Sequence, residues 1–471
     1  MVQIQTRDAL VFTMAGRSLD HEKGSVAIMK RLKVLVSALA ALAIFTGGAA
    51  ADVVYTATNG SNSSIGIIIS SDKYEISKHA ANFGPYAKVF SFRDDKGNDK
   101  ILVNDYLFLN DDRVYIYTPG KGDKAEKDSA VTGATNIYGV ATIGQYLYFV
   151  GYESYDDEEN LGSGKVVRVD MDNDYQVVGN PFELEDSVFK NKDGWTTTGV
   201  SIKEYADKIY VVTQVHDASW TTWAQGEVIA LEPDLKEAWR RKIGVNAGGT
   251  SEGITLYDDK LYIGCIGGKM GDGKTGEYWE VDLSEETSEK IIDLSDEKHN
   301  LGYPYGGAGI AIDEDGNAML MLLNYYIPDE NSPYDIRMRP RLYFASVEGM
   351  VADGSIGAEV SQFTGKEGSS WGVSYDESTK TFWCMAGKEL IAFNKDGSQK
   401  QEFSRADLGD DIYSVAVVGP IQDAGGSGES DNGPGGGGGC DTGLLGGLGL
   451  LALLALRVSQ ASTASSKCRR G

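Results

Sequence analysis

Histidine and cysteine are both scarce, at four residues each in a chain of 471. His21, His79, His216 and His299 are widely separated, and none stands in the His-Glu-x-x-His spacing of a helical zinc site. Four cysteines cannot build a disulfide scaffold for a chain of this size. Bases are outnumbered, 44 Lys and Arg against 69 Asp and Glu, and the formal net charge is -25. No long basic run interrupts that excess between residues 52 and 440, so the surface repels phosphate backbones, which argues against nucleic acid as a partner. Helical apolar periodicity is nearly missing from residues 52–419. A nucleophile elbow is missing too: Gly425-Gly-Ser-Gly-Glu breaks the Gly-x-Ser-x-Gly pattern at its last residue and lies in a linker. No motif indicates a cofactor.

Core-building material is plentiful. Hydrophobic residues make up 41% of the chain and 25 residues are Tyr, enough for a large folded core. Short β-branched and aromatic runs alternate with Gly, Asn and Asp turns, the pattern of an all-β chain. Cys265 and Cys384 each sit inside such a run and read as buried free thiols.

The runs repeat. An x-Gly-[Val/Ile] step recurs at Tyr138-Gly139-Val140, Thr198-Gly199-Val200, Glu252-Gly253-Ile254, Ala308-Gly309-Ile310 and Trp371-Gly372-Val373. A hairpin follows, such as Tyr205-Ala-Asp-Lys-Ile-Tyr210 or Tyr257-Asp-Asp-Lys-Leu-Tyr262, then a third strand as in Gly164–Asp170 or Gly226–Leu231, then a more polar fourth. A four-stranded sheet of this kind buries its faces only by stacking on its neighbours, so each repeat predicts one blade of a β-propeller. Seven blades result if Ile412–Val418 joins the first segments of the chain in one sheet, which removes an open edge. Residues 89–131 are the least regular, which leaves six or eight as alternatives. Val53-Val-Tyr-Thr-Ala-Thr-Asn-Gly-Ser-Asn-Ser-Ser-Ile65 resembles the YVTN-type and quinoprotein-like bacterial propellers.

Both ends read as addresses. Lys30-Arg31-Leu32-Lys33, an apolar stretch from Val34 to Phe45 and the small residues to Ala51 predict a cleaved signal peptide over 29–51, with 1–28 upstream of the true start. The propeller is expected over 52–420 and a Gly/Ser-rich linker over 421–439. Residues 440–471 carry Cys440, an apolar segment Leu444–Leu456 and late basic residues. Gly435-Gly-Gly-Gly-Gly-Cys440-Asp-Thr-Gly443 with the span behind it resembles the Synerg-CTERM type of bacterial C-terminal sorting tail. The family places its basic cluster directly after the span, whereas here one Arg457 is followed by a polar stretch before Lys467, Arg469 and Arg470. The resemblance implies processing or lipid attachment at Cys440, export machinery and a sorting peptidase as partners, and a membrane association at the cell envelope.

Residues just before each opening Gly, with their equivalent on the last strand, are expected to ring one mouth of the central channel: Tyr138, Thr198, Glu252, Ala308, Trp371 and Tyr413. Long loops between second and third strands share that face. They carry Tyr155 within 151–164, His216, Trp220 and Trp223 within 214–225, and Tyr326 and Arg337 within 324–341. An aromatic-lined bowl of this kind fits a small ligand, glycan or peptide. The leading expectation is therefore a surface binding module. The alternatives are a metal-assisted lactonase or lyase using Glu252, and a structural envelope component. Asp170-Met-Asp-Asn-Asp174 has the oxygen density of a calcium loop but lacks its Gly and Glu, so it reads as a turn, as does Asp313–Asn317.

Overall fold

A computed structural model describes residues 53–58, 63–69, 75–84, 87–105, 113–118, 127–130, 134–155, 161–188, 194–217, 222–248, 254–268, 276–326, 337–364, 366, 372–386, 388–408 and 411–418. The signal-like segment, the linker and the C-terminal tail with Cys440 lie outside the described residues. In chain order the strands are β1 (Val53–Thr58), β2 (Ser63–Ile69) and β3 (Glu75–Phe83) of the first blade, then β4 (Lys88–Arg93), β5 (Asp99–Asp105), β6 (Arg113–Tyr117) and β7 (Lys127–Ala130) of the second. The third holds β8 (Thr135–Ile143), β9 (Tyr146–Tyr155), β10 (Leu161–Ser163), β11 (Lys165–Asp170), β12 (Gln176–Val177) and β13 (Phe182–Glu183). The fourth is β14 (Trp195–Tyr205), β15 (Lys208–Asp217), β16 (Trp223–Leu231) and β17 (Glu237–Val245), and the fifth β18 (Ile254–Tyr257), β19 (Lys260–Cys265), β20 (Glu277–Asp282) and β21 (Thr287–Asp293). The sixth is β22 (Gly306–Ile312), β23 (Asn317–Tyr326), β24 (Arg337–Ser346) and β25 (Ala358–Glu359), and the seventh β26 (Val373–Asp376), β27 (Thr381–Ala386), β28 (Glu389–Asn394) and β29 (Gln399–Phe403), before the last strand, β30 (Asp411–Val417).

Every pairing within these sheets is antiparallel, and the first sheet runs β3-β2-β1-β30. The last strand thus closes the ring onto the first, with Val53 opposite Val417 and Thr58 opposite Asp411. Seven blades result, as the repeat predicted. The irregular second segment is an ordinary four-stranded blade. In the third blade β10 and β11 both pair with β9, and β12 and β13 both pair with β11, so its third and fourth strands are each interrupted once.

Seven apolar clusters form the core, one at each interface between neighbouring blades. Alternate residues of one strand serve opposite interfaces, since side chains on a pleated strand point to opposite faces. In β15, Ile209 and Val211 pack toward the third blade while Tyr210 and Val212 pack toward the fifth. Sheets buried on both faces need near-continuous apolar strands, which is why the sequence shows runs rather than alternation. Cys265 and Cys384 are fully buried free thiols within these interfaces, and burial pushes both thiols up, away from the reactive thiolate.

The recurring glycines have a steric cause. A Cβ on Gly199 would stand 2.1 Å from Val150 Cγ2 and 2.9 Å from Leu184 Cδ1, so the innermost strand of the fourth blade can press on the third only without one. At the start of the third strand, a Cβ on Gly164, Gly226 or Gly276 would lie within 2.3 Å of a carbonyl oxygen of the strand beside it. Hairpin turns follow local chemistry as expected. Ala206–Asp207 and Asp258–Asp259 take positive φ at both central residues, the two-residue turn that matches strand twist. Asp170 and Asp313 both accept from backbone N–H groups two to four residues on and are turn residues.

Two features depart from the sequence reading. A short helix, α1 (Val347–Asp353), follows β24, capped by Ser346 accepting from Gly349 N and by Gly354 at φ 68°. The three long loops are also shorter than expected, because β9, β15, β16, β23 and β24 extend through much of them.

Candidate functional site

The opening step of the repeat coincides with a β-bulge in the third, fourth and sixth blades, and the last strand carries a bulge too. In β8 the register jumps between Ile137 and Gly139, in β14 between Gly199 and Ser201, in β22 between Gly307 and Gly309, and in β30 across Tyr413. The extra residues are Tyr138, Val200, Ala308 and Tyr413; Tyr138 and Ala308 precede the glycine of their step but Val200 follows it, so the fourth-blade counterpart of Tyr138 is Val200 and not Thr198, as the aligned glycines had predicted. A bulge kinks its strand and re-aims the side chain it carries, here at the end where all the innermost strands begin.

Tyr138 is the centre of the best-defined cluster at that end. Its ring stacks on Tyr152 at 4.5 Å between centroids and 27° between planes, and the Lys88 ammonium lies 4.1 Å from its centroid. Lys88, 7% exposed, also donates to Asn136 Oδ1. The Tyr152 hydroxyl donates to Gln214 Oε1 at 3.2 Å, and Gln214 Nε2 donates to the Ala247 carbonyl. One chain of contacts therefore links the second, third and fourth blades and reaches the segment leading into the fifth. Lys88, Asn136 and Gln214 escaped the sequence reading because β4 opens with Lys88-Val89-Phe90 and carries no glycine step to align. Lys88 stands two residues before the wall run Phe90–Phe92 as Tyr138 stands two before Val140–Thr142, and that offset is the signal that could have found it.

The other expected mouth residues differ in surroundings. Thr198 is fully buried, and its Oγ1 has no hydrogen-bond partner among the described residues. Ala308 is fully buried and Tyr413 half-buried. His216 is fully buried, stands opposite Trp223 in the β15–β16 register and packs on its ring at 4.8 Å. Tyr155 ends β9, and Tyr326 pairs with Arg337 at the tip of the β23–β24 ladder; their side chains lie outside the described residues. Glu252, Trp371 and Trp220 also lie outside the described residues.

Burial pushes the His216 imidazole below its ordinary value of 6.5, partly offset by the carbonyl of Asp217, 2.9 Å from Nδ1. The neutral ring is the one the fold accepts, so its contribution is complete above pH of about 6.5 and falls as pH drops below that value. Denaturant titrations from pH 7.5 to 5 are expected to show stability falling, and His216→Gln is expected to flatten that slope. An unchanged slope in His216→Gln would refute the assignment.

Beyond the bulges the channel holds a cavity of about 300 Å³. Each of the seven innermost strands, β4, β8, β14, β18, β22, β26 and β30, contributes to its wall. None of the expected site residues lines it. Among the described residues no group of three or more His, Cys, Asp or Glu is placed to hold a metal ion.

No protein-family model and no curated protein matches the sequence. Solved structures do. The chain is similar to the AfRom2 CNH domain, at 12% identity over 69% of this chain and 87% of that one, with a TM-score of 0.40. It is similar to the Neurospora crassa Pan2 WD40 domain, at 9% identity over 76% and 92%, TM-score 0.39. It is also similar to a protein of unknown function from Bacteroides caccae, at 12% identity over 78% and 98%, TM-score 0.38. At these identities and scores the likeness is one of fold, and it carries no argument about ligand or activity.

Proposed function

We propose that this protein is exported, held at the cell envelope by its C-terminal tail, and acts there as a surface binding module for a small ligand, glycan or peptide. The observation that supports this reading is the mouth cluster, in which two stacked tyrosines, a buried lysine and a glutamine share one contact chain on a rigid ring. Half-buried Tyr138, backed by the buried ring of Tyr152, offers contact area to a sugar or peptide ring, and the neighbouring ammonium adds charge. Export machinery and a sorting peptidase are the partners that the terminal segments call for, with Cys440 as the processing position.

Tyr138→Ala tests the site. On glycan and peptide arrays, followed by calorimetry on the best binder, the variant is expected to bind about thirtyfold more weakly, roughly 2 kcal/mol, with the fold intact by circular dichroism. Equal affinity would remove the mouth from the proposal, and turnover of a substrate with no retained ligand would replace binding by catalysis. Fractionation of cells tests the address: full-length protein is expected in the envelope, and protein lacking 440–471 in the medium. Cytoplasmic retention of both would overturn it.

A further inference from the structure

We infer that the bore beyond the bulges is a second binding site, separate from the mouth cluster, that takes a monosaccharide-sized, hydroxyl-rich molecule of neutral or positive charge. The bore has the volume for it, since about 300 Å³ is the lower end of pockets that enclose small molecules. Its wall is unusual in kind. Each innermost strand has a paired neighbour on one side only, so its other edge presents a row of backbone N–H and C=O groups to the channel. Runs such as Val140–Thr142, Ile202–Glu204 and Ile254–Leu256 line the bore as three consecutive residues, which an edge can do and a face cannot. Buried backbone groups of this kind require partners, whether water or ligand.

Edges that offer donors and acceptors alternately suit a molecule whose hydroxyls do both. Ser91 and Thr142 add hydroxyls to the same wall. Charge decides against anions. Lys203 lines the bore against Glu204, Asp376 and Glu377, leaving the wall net acidic on a chain whose formal charge is already -25. The rim is also held still. Tyr375, another wall residue, donates to Glu314 at 2.5 Å, and Glu314 is clamped by Lys380 at 2.7 Å and Lys395 at 2.8 Å. A wall fixed before binding loses little entropy when a ligand enters.

Hydrogen–deuterium exchange on the full chain tests this directly, with glucose, glucosamine and glucuronate as probes. Glucosamine and glucose are expected to slow exchange in peptides covering 140–142, 202–204 and 254–256, about tenfold at ten times the Kd, while glucuronate leaves them unchanged. Protection is expected to persist in Tyr138→Ala, which separates this site from the mouth, and to disappear in Thr142→Phe, which fills the bore. If none of the probes slows exchange, the bore holds water alone and the inference fails. It fails equally if glucuronate protects as well as glucosamine, or if protection is lost in Tyr138→Ala.

Discussion

A chain that stops at residue 410 is expected to lose cooperative unfolding altogether, whereas one that stops at 420 melts like the full-length protein. The difference is β30. It pairs with β1 from Val53↔Val417 to Thr58↔Asp411, and its Ile412, Val415 and Ala416, with Val418 just after it, are buried in the two interfaces that close the ring. Its removal would expose those partners, among them Val53, Val54 and Tyr55, all fully buried in the intact protein. Three branched side chains at about 1.5–3 kcal/mol each already approach the ~5–15 kcal/mol that holds a whole domain folded. The strand also ties the first blade to the second through Ser414 Oγ, which accepts from Val89 N at 3.1 Å. Calorimetry and near-ultraviolet circular dichroism of the two truncations make the comparison. A sharp transition in the shorter chain, within a few degrees of the longer, would show that the ring does not depend on this closure.

The second large effect belongs to Glu227, whose side chain is 1% exposed on β16. Its carboxylate accepts from Arg240 Nη1 at 2.8 Å and Ser187 Oγ at 2.5 Å and pairs with Lys242 Nζ at 3.0 Å. Lys242 also pairs with fully buried Asp186 at 2.6 Å. Together these groups pin the segment between the third and fourth blades onto the outer strands of the fourth. Glu227→Ala removes a buried acceptor shared by Ser187, Arg240 and Lys242, while Arg240 keeps Glu237 and Lys242 keeps Asp186, and is expected to cost about 2–3 kcal/mol. Glu227→Gln, which keeps the shape and the acceptor, is expected to cost less. The urea midpoint with an unchanged m-value measures both. In a double-mutant cycle, Arg240→Ala should cost much less in the Glu227→Ala background than in the wild type, because the pair is already broken. A loss below about 1 kcal/mol for Glu227→Ala would place it with ordinary surface ion pairs.

That network shows where the sequence runs out. Asp186, Glu227, Arg240 and Lys242 stand as unrelated charged residues along 57 positions, and nothing local marks them as one buried cluster. The mouth cluster has the same character. Tyr138 was legible because its glycine step repeats and Tyr152 because it opens a same-face loop, but their meeting with Lys88 and Gln214 spans three blades through contacts between residues as many as 62 positions apart. The cavity was not legible at all, since its wall is built from strand edges, and a backbone edge leaves no mark in side-chain identity.

What the amino-acid order by itself determined was the blade: apolar runs fit to be buried on both faces, a glycine wherever a neighbouring strand leaves no room for a Cβ, and Asp or Asn turns that reverse the chain in two to five residues. These are short-range requirements, met within one repeat, so they recur visibly along the chain. Only the tertiary structure decided that β30 completes the first sheet, that three opening steps and the last strand carry bulges, and that seven edges face a common bore. Those outcomes depend on how many twisted sheets pack side by side before the ring closes, a property of the whole assembly that no single repeat encodes.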